Sequence, residues 1–323
     1  MATEHVLIGA AAKIPVNPSV PITAYTPVII PSPGRPVELQ LRVTAPASGD
    51  ALPIILLSHG HGRSNWLSSL QGYSPLAEFY AKHGFVVIQP THLSSRTLGL
   101  QALQGNELYW KSRPEDMIQI LDQLDHVETA VPGLKGRLDK SKVAGIGHSL
   151  GGFTMSLLLG ATNTDPRDGT VFRPFEQRIK AGVLLGGTGN GGADMSENGC
   201  KMLPFYDLDF STMHTPTLNI GGEDDVSPHL TIRGADWHWD SYTHGPGSKD
   251  LLRVKRGHHG FGGISGWDAK ETQDESPEIL GTIQRMSLAY LRSQLYEGDK
   301  SWEQACEVLS GLKELGSVES KYR

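Results

Sequence analysis

A serine between two glycines is the clearest sign of chemistry in this sequence. Residues 147–151 read Gly-His-Ser-Leu-Gly, with Ser149 at the centre. A short apolar run, residues 142–146, precedes them, and residues 152–159 have the composition of a helix. In a tight strand-to-helix turn a serine hydroxyl projects alone, provided that the residues two before and two after it lack side chains. The spacing therefore predicts that Ser149 is a nucleophile.

An acidic loop further along the chain supplies the carboxylate that such a serine requires. Residues 217–221 predict a buried strand, and Glu223, Asp224 and Asp225 follow it. In a Ser-His-Asp site one carboxylate orients the histidine and holds its tautomer. We expect Asp224 to be this residue. Asp225 and Glu223 remain alternatives, because spacing alone does not separate adjacent carboxylates.

Paired histidines follow the next predicted strand. Residues 251–255 form its apolar run, and His258 and His259 come shortly after it. A serine, an acid and a histidine in this chain order, with the last two just beyond strands, complete the set of groups that activates a serine. We expect His259 to be the base, with His258 as the alternative.

Stabilisation of a developing oxyanion needs two backbone amides, one of them from the residue after the nucleophile. Leu150 would supply that amide. Residues 53–57 predict a buried strand that ends in Ser-His-Gly-His-Gly, residues 58–62. The two glycines would let this loop turn and approach closely. We therefore expect the second donor to be the amide of His61.

Taken in order, these motifs resemble the serine α/β-hydrolases over about residues 38–295. More narrowly they resemble the branch with dienelactone hydrolase-like proteins, platelet-activating-factor acetylhydrolases and chlorophyllases. In this family the aspartate usually lies four residues before a proline, which selects Asp224 before Pro228, and the histidine position falls on His259. The motifs that carry the resemblance are Leu56-Leu57-Ser58-His59-Gly60, residues 76–87, Gly-His-Ser-Leu-Gly-Gly, Gly-Gly-Glu-Asp-Asp-Val-Ser-Pro and His-His-Gly-Phe.

The resemblance implies an α/β-hydrolase fold, with a mostly parallel central sheet and helices on both faces. It also implies a cofactor-free serine hydrolase that cleaves a carboxylic ester or a lactone through an acyl-enzyme. Dienelactone hydrolase itself uses a cysteine, so Ser149 favours the esterase side of the group. Hydrolysis of amide or carbon–carbon bonds by the same residues stays open, as does a ligand receptor that does not turn over.

Two long segments are expected to shape the pocket. Residues 91–113 and 187–214 exceed the usual length of connections and follow strands at the sheet edge where α/β enzymes bind ligands. Both segments contain apolar side chains, which suggests an acyl or alcohol group of moderate size. We expect Trp110 and Phe261 to contact the substrate, which we take to be a small-molecule ester.

Composition excludes several classes of function. The chain has 323 residues and a formal net charge of −6, so nucleic acid is not an expected partner. Its apolar runs are too short to span a bilayer, and residues 6–12 are expected to be a first strand rather than a signal sequence. Self-association is left open.

Neither a disulfide framework nor a metal site is expected. The two cysteines, Cys200 and Cys306, predict reduced thiols and a cytoplasmic location. The histidines at positions 59, 61, 258 and 259 have no cluster of carboxylates or cysteines at ligand spacing beside them. We therefore expect no metal and no other cofactor.

The elements around these motifs alternate between strand and helix, as in a parallel sheet. A helix is expected to begin near Ser112, and a late helix is expected from Ile279 to Leu295. Residues 37–43 alternate apolar and polar side chains and predict an outer strand. Seven prolines in residues 13–36 favour an extended lead-in. The expected divisions are a lead-in at 1–37, one hydrolase domain at 38–296, and a C-terminal amphipathic helix and tail at 297–323.

Overall fold

A computed structural model describes residues 6–321 of the chain. Its α-helices are α1 (Ser74–Lys82), α2 (Ser112–Asp122), α3 (Leu124–Ala130), α4 (Leu150–Leu158), α5 (Glu197–Met202), α6 (Asp240–His244), α7 (Pro277–Leu295) and α8 (Ser301–Ser310). Its strands are β1 (Ile22–Ile30), β2 (Leu39–Pro46), β3 (Leu52–Ser58), β4 (Val86–Pro90), β5 (Leu138–His148), β6 (Thr162–Thr164), β7 (Val171–Phe172), β8 (Ile179–Leu185), β9 (Leu208–Asp209), β10 (Thr217–Gly222), β11 (Lys249–Val254) and β12 (Gly316–Lys321).

Nine strands form the central sheet, in the order β1-β2-β4-β3-β5-β8-β10-β11-β12. The six strands from β4 to β11 in that order pair in parallel. Antiparallel strands complete both edges, β2 and β1 on one side and β12 on the other. The expected mostly parallel α/β sheet is confirmed. Strands β6, β7 and β9 form a separate small sheet.

The parallel strands are apolar along their whole length because both faces of the sheet are covered. Along β3, Ile54 and Leu56 join the core cluster that includes residues of α2, α3 and α4. Ile55 and Leu57 join the cluster on the other face, which includes residues of α1, α7 and α8. Successive side chains of a strand point to opposite faces. The helices thus lie on both faces, as expected.

The N-terminal region differs from the expectation in two ways. Residues Val6–Lys13 form 3₁₀ turns, not a strand, and they pack on α7, where Ile8 and Ala11 lie against Gly281. The proline-rich lead-in contributes β1 to the sheet. Pro27 is tolerated there because β1 is an edge strand and its register shifts beside that proline. The strand expected at residues 37–43 is β2, one position in from the edge.

The C-terminal region is more ordered than a helix and tail. Helix α8 is present as expected, and β12 then pairs with β11 over six residue pairs. Helix α2 begins at Ser112, as expected, and α7 contains the expected span from Ile279 to Leu295. In the described part of the chain, no helix is both long enough and apolar enough to cross a membrane.

Candidate active site

Ser149 lies in a turn that only small neighbours allow. It follows the last residue of β5 and precedes the first residue of α4, with φ 55° and ψ −119°. A non-glycine residue rarely adopts a positive φ. A Cβ on Gly147 would collide with the backbone of Gly151, and one on Gly151 would collide with the carbonyl of Ser58. The turn predicted from the glycine spacing is present, and Ser149 remains partly exposed.

Asp225, and not the expected Asp224, contacts the imidazole of His259. Both carboxylate oxygens of Asp225 lie 3.0 Å from His259 Nδ1. The Asp225 side chain is fully buried, whereas Asp224 is exposed. The expectation for the acid is therefore corrected by one residue, to an alternative that the sequence left open. His259 is the histidine of the pair that contacts a carboxylate, and His258 instead donates its amide to Asp274.

Backbone hydrogen bonds determine which carboxylate of the acidic loop points inward. The amide of Asp224 donates to the carbonyl of Gly257 at 3.0 Å, and the amide of Asp225 turns back to the carbonyl of Gly222. Glu223 points to solvent and pairs with Lys255. This turn directs the Asp225 side chain under His259 and leaves that of Asp224 outside.

A second histidine, His238, lies on the other side of the Asp225 carboxylate. The sequence motifs do not predict a role for it. Its Nε2 is 3.4 Å from Asp225 Oδ1 and 3.1 Å from the hydroxyl of Ser227. Its Nδ1 donates to the carbonyl of Gly187 at 2.7 Å. Burial lowers the pKa of His238. No local motif marks this residue, because its 3₁₀ segment reaches Asp225 only through the tertiary fold.

The electrostatics of the pair favour an ionised acid. Burial opposes charge on Asp225, but His259 and His238 outweigh it and lower the pKa of the carboxyl to about 2. Burial likewise lowers the pKa of His259, and the Asp225 carboxylate more than offsets this, so the pKa lies above 6.5. An ionised Asp225 beside His259 can hold Nδ1–H in place and leave Nε2 to accept a proton.

The serine turn and the acid–histidine pair adjoin each other through β8. The amide of Ser149 donates to the carbonyl of Leu185 at 3.0 Å. The next residue, Gly186, has φ 49°, and a Cβ there would lie 2.8 Å from Asp225 Oδ2 and 3.2 Å from His259 Nδ1. The rings of His148 and His259 are 4.8 Å apart. The fold thus brings the predicted nucleophile and base to one place.

The loop after β3 carries the amide expected to complete an oxyanion hole. Arg113 donates to the carbonyl of His59, and the amide of Gly60 donates to the hydroxyl of Tyr73 at 3.0 Å. Within residues 6–321 the amide of His61 has no such acceptor. The amide of Leu150 is in the first turn of α4, where intrahelical acceptors are lacking. Neither expected amide has a backbone acceptor among the described residues, and their role as an oxyanion hole stays a prediction.

Beneath this loop lies a second series of a serine, a histidine and an aspartate. The Ser58 hydroxyl is 3.0 Å from His92 Nε2, and His92 Nδ1 is 2.8 Å from Asp116 Oδ2. All three residues are buried, and Asp116 also pairs with Arg35. No sequence motif marks this series, because its members come from three distant segments. Its burial indicates a structural role under the loop.

The two residues expected to contact substrate are both buried. Trp110 has no exposed surface and stacks on Phe205, with ring centroids 4.9 Å apart and planes 5° apart. It belongs to the core, so this expectation is corrected: aromatic packing leaves no surface of its ring for a substrate to contact. Phe261 is also fully buried, and its ring centroid lies 6.0 Å from that of His148. It supports the site from behind rather than lining it.

Potential metal ligands within residues 6–321 coincide with this site. Asp225, His238 and His259 offer ligand atoms within 4.8 Å of one another. The hydrogen bonds described above already engage these atoms with one another and with Ser227. Of the four histidines considered in the sequence, only His259 belongs to this group.

Comparisons with known proteins agree with the fold. The family model described as "Alpha/beta hydrolase family" matches residues 54–294. A platelet-activating factor acetylhydrolase from Cavia porcellus is 29% identical over 173 residues. That match covers 43% of this chain and 35% of the relative, so this chain spans about a third of that protein's length.

Proposed function

Because this chain belongs to the α/β-hydrolase family, we propose that it is a serine hydrolase that cleaves a carboxylic ester or a lactone without a cofactor. The observation that carries the proposal is the contact of the buried Asp225 carboxylate with His259, beside a serine in the strained turn. The acid in this proposal is Asp225, whereas Ser149 and His259 keep the roles expected from the sequence.

In the proposed mechanism, His259 Nε2 takes the hydroxyl proton of Ser149 as Oγ attacks the ester carbonyl. The amides of Leu150 and His61 stabilise the oxyanion of the tetrahedral intermediate. The carbon–oxygen bond to the alcohol then breaks, and the proton on His259 passes to the leaving oxygen. A water molecule then gives a proton to His259 as it attacks the acyl carbon. The bond from that carbon to Ser149 Oγ breaks, the proton on His259 returns to Oγ, and the carboxylic acid is released.

The preference for an ester over an amide rests on the comparison with a known protein. The relative is named an acetylhydrolase, and the same triad chemistry serves several acyl bonds. A panel of short- and long-acyl nitrophenyl esters, lactones and aryl amides separates these bond types. We expect turnover of esters or lactones and little turnover of amides.

The decisive variant is Ser149→Ala. We expect its ester turnover to fall by about a million-fold, the loss found on removal of such a serine in another serine hydrolase. Ser156→Ala is the matched control, because Ser156 is a buried serine in α4 whose hydroxyl has no partner within the described chain. The control should keep full activity. A folded Ser149→Ala variant with more than about a tenth of wild-type activity would refute the proposal.

A further inference from the structure

Tyr73 and His148 form a buried chain of hydrogen bonds between two loops of the site. The amide of Gly60 lies 3.0 Å from the Tyr73 hydroxyl, which lies 2.7 Å from His148 Nδ1. On the far side of the ring, His148 Nε2 lies 2.8 Å from the carbonyl of His259. This series of hydrogen bonds thus starts at the residue before His61 and ends on the backbone of the proposed base, His259.

Donor and acceptor roles in this chain can be assigned at every step. A backbone amide can only donate, so the Tyr73 oxygen accepts from Gly60. A backbone carbonyl can only accept, so His148 carries its proton on Nε2 and donates to His259. In a neutral ring the remaining nitrogen, His148 Nδ1, accepts the hydrogen bond of the Tyr73 hydroxyl. A neutral His148 makes all three bonds only in this one tautomer.

Burial supports the same assignment. Tyr73 has no exposed surface, and His148 is 2% exposed. Burial lowers the pKa of His148 to about 3, and the nearby His259 acts in the same direction. The ring therefore stays neutral near pH 7. Burial also raises the pKa of Tyr73, so its hydroxyl keeps the proton that it donates.

The backbone of Tyr73 shows that its position is determined by its surroundings. It precedes α1 in the left-handed region, at φ 59° and ψ 17°. A bulky residue in this region costs free energy and persists where the surrounding structure requires it. Its amide donates to the carbonyl of Ser265 at 3.1 Å. The ring is thereby held against Gly60 and His148.

The peptide between His59 and Gly60 is held from both sides. The N–H and C=O groups of a trans peptide point in opposite directions. Arg113 binds the carbonyl of His59, and Tyr73 binds the amide of Gly60. The peptide that carries the His61 amide follows directly, so its orientation depends on both contacts.

We propose that Tyr73 is a positioning residue: together with His148, it holds the His61 amide and the base His259 in the positions that the reaction of Ser149 requires. This inference rests on the proposed function, since it assigns Tyr73 a role in the reaction of Ser149. Tyr73 itself does not touch the reacting atoms. Loss of its hydroxyl would leave the Gly60 amide and His148 Nδ1 unpaired and would free both loops to shift.

The test compares Tyr73→Phe with Tyr80→Phe in the full chain. Tyr80 is an equally buried tyrosine, and its hydroxyl bonds Ser287 at 2.6 Å between α1 and α7. Both variants remove one buried hydroxyl, so both should be destabilised. We expect kcat of Tyr73→Phe to fall about 10- to 100-fold with KM changed less than about threefold, whereas Tyr80→Phe keeps the wild-type kcat.

A second measurement does not depend on ester turnover. The rate constant for labelling of Ser149 by a fluorophosphonate probe should fall in Tyr73→Phe and not in Tyr80→Phe. His148→Ala should show a similar loss. The double variant, Tyr73→Phe with His148→Ala, should lose little more than either single variant, because all three proteins lack the same series of hydrogen bonds. The labelling test applies whichever acyl bond the protein cleaves.

The outcomes separate the two proposals. Equal labelling rates and equal kcat in the two tyrosine variants would overturn the role of Tyr73, while an inactive Ser149→Ala would still support the proposed function. Fully additive losses in the double variant would also overturn a role through His148. Absence of labelling in the wild-type protein would overturn both proposals.

Discussion

At the scale of single residues, the choice between two neighbouring aspartates decides how the proposed base is oriented. Asp225→Asn should lower kcat/KM about ten-thousandfold, because the imidazole loses the partner that fixes its tautomer. This loss corresponds to an increase of roughly 5 kcal/mol in the activation free energy. Asp224→Asn is the matched control, and its exposed side chain predicts less than a tenfold loss. Initial rates with a nitrophenyl ester measure both. An inverted ranking would return the role to Asp224.

The pH dependence follows from the charge of His259. A protonated imidazole cannot accept the serine proton, so kcat/KM should rise with pH through the pKa of His259. Burial lowers that pKa, but Asp225 raises it above 6.5, so the midpoint of the wild-type profile should lie above 6.5. In Asp225→Asn the raising group is lost, and the midpoint of the residual activity should move to lower pH. Rates from about pH 5 to 9 cover the transition. Identical midpoints in the two proteins would contradict the assignment of the acid.

At the scale of elements, the end of β3 and the start of α4 approach so closely that only glycine fits between them. A Cβ in Gly151→Ala would press on the backbone of Ser58 and His59, which would displace the loop with the His61 amide. We expect a stability loss of about 1–3 kcal/mol and a loss of about a hundredfold in kcat. Thermal unfolding and initial rates measure the two effects.

Gly311→Ala provides the control for that substitution. Gly311 has φ −87°, and the nearest atom to an added Cβ would be 3.5 Å away. This variant should match the wild type in both measurements. A Gly151→Ala protein with wild-type kcat would show that the loop does not need the close approach.

Local sequence patterns predict the elements of the site better than they predict its side-chain contacts. The buried strands and the turn at Ser149 follow from short apolar runs and glycine spacing, which are local properties. The orientation of Asp225 depends instead on hydrogen bonds to Gly222 and Gly257. Trp110 is buried by stacking on Phe205, about a hundred residues later. Contacts between distant segments leave no mark in a single sequence.

At the scale of the whole molecule, segments from the first and last parts of the chain form the two edge strands of the sheet, β1 and β12. Strand β12 covers the outer edge of β11, and His259 lies in the loop after β11. A variant that ends at residue 315 should lose about 3 kcal/mol or more of unfolding free energy, because β12 pairs with β11 over six residue pairs and each hydrogen bond of such a ladder contributes about 0.5–1.5 kcal/mol. It should also aggregate more, since the uncovered edge can pair with other chains.

Urea unfolding and light scattering measure these effects. A chain ended at Lys321 is the control, because it keeps every residue of the β12 ladder, and it should match the full chain. Equal unfolding midpoints for the two truncated chains would contradict the role of β12 in stability.

The buried series of Ser58, His92 and Asp116 has the same three types of side chain as the group proposed to act on esters, and hydrogen bonds join all three of its members. Hydrolysis consumes a water molecule, and this inner series is walled off from bulk water on all sides by the packed sheet and helices. Nothing can be hydrolysed where neither reactant can enter. Access of water, rather than residue identity, therefore separates the two groups.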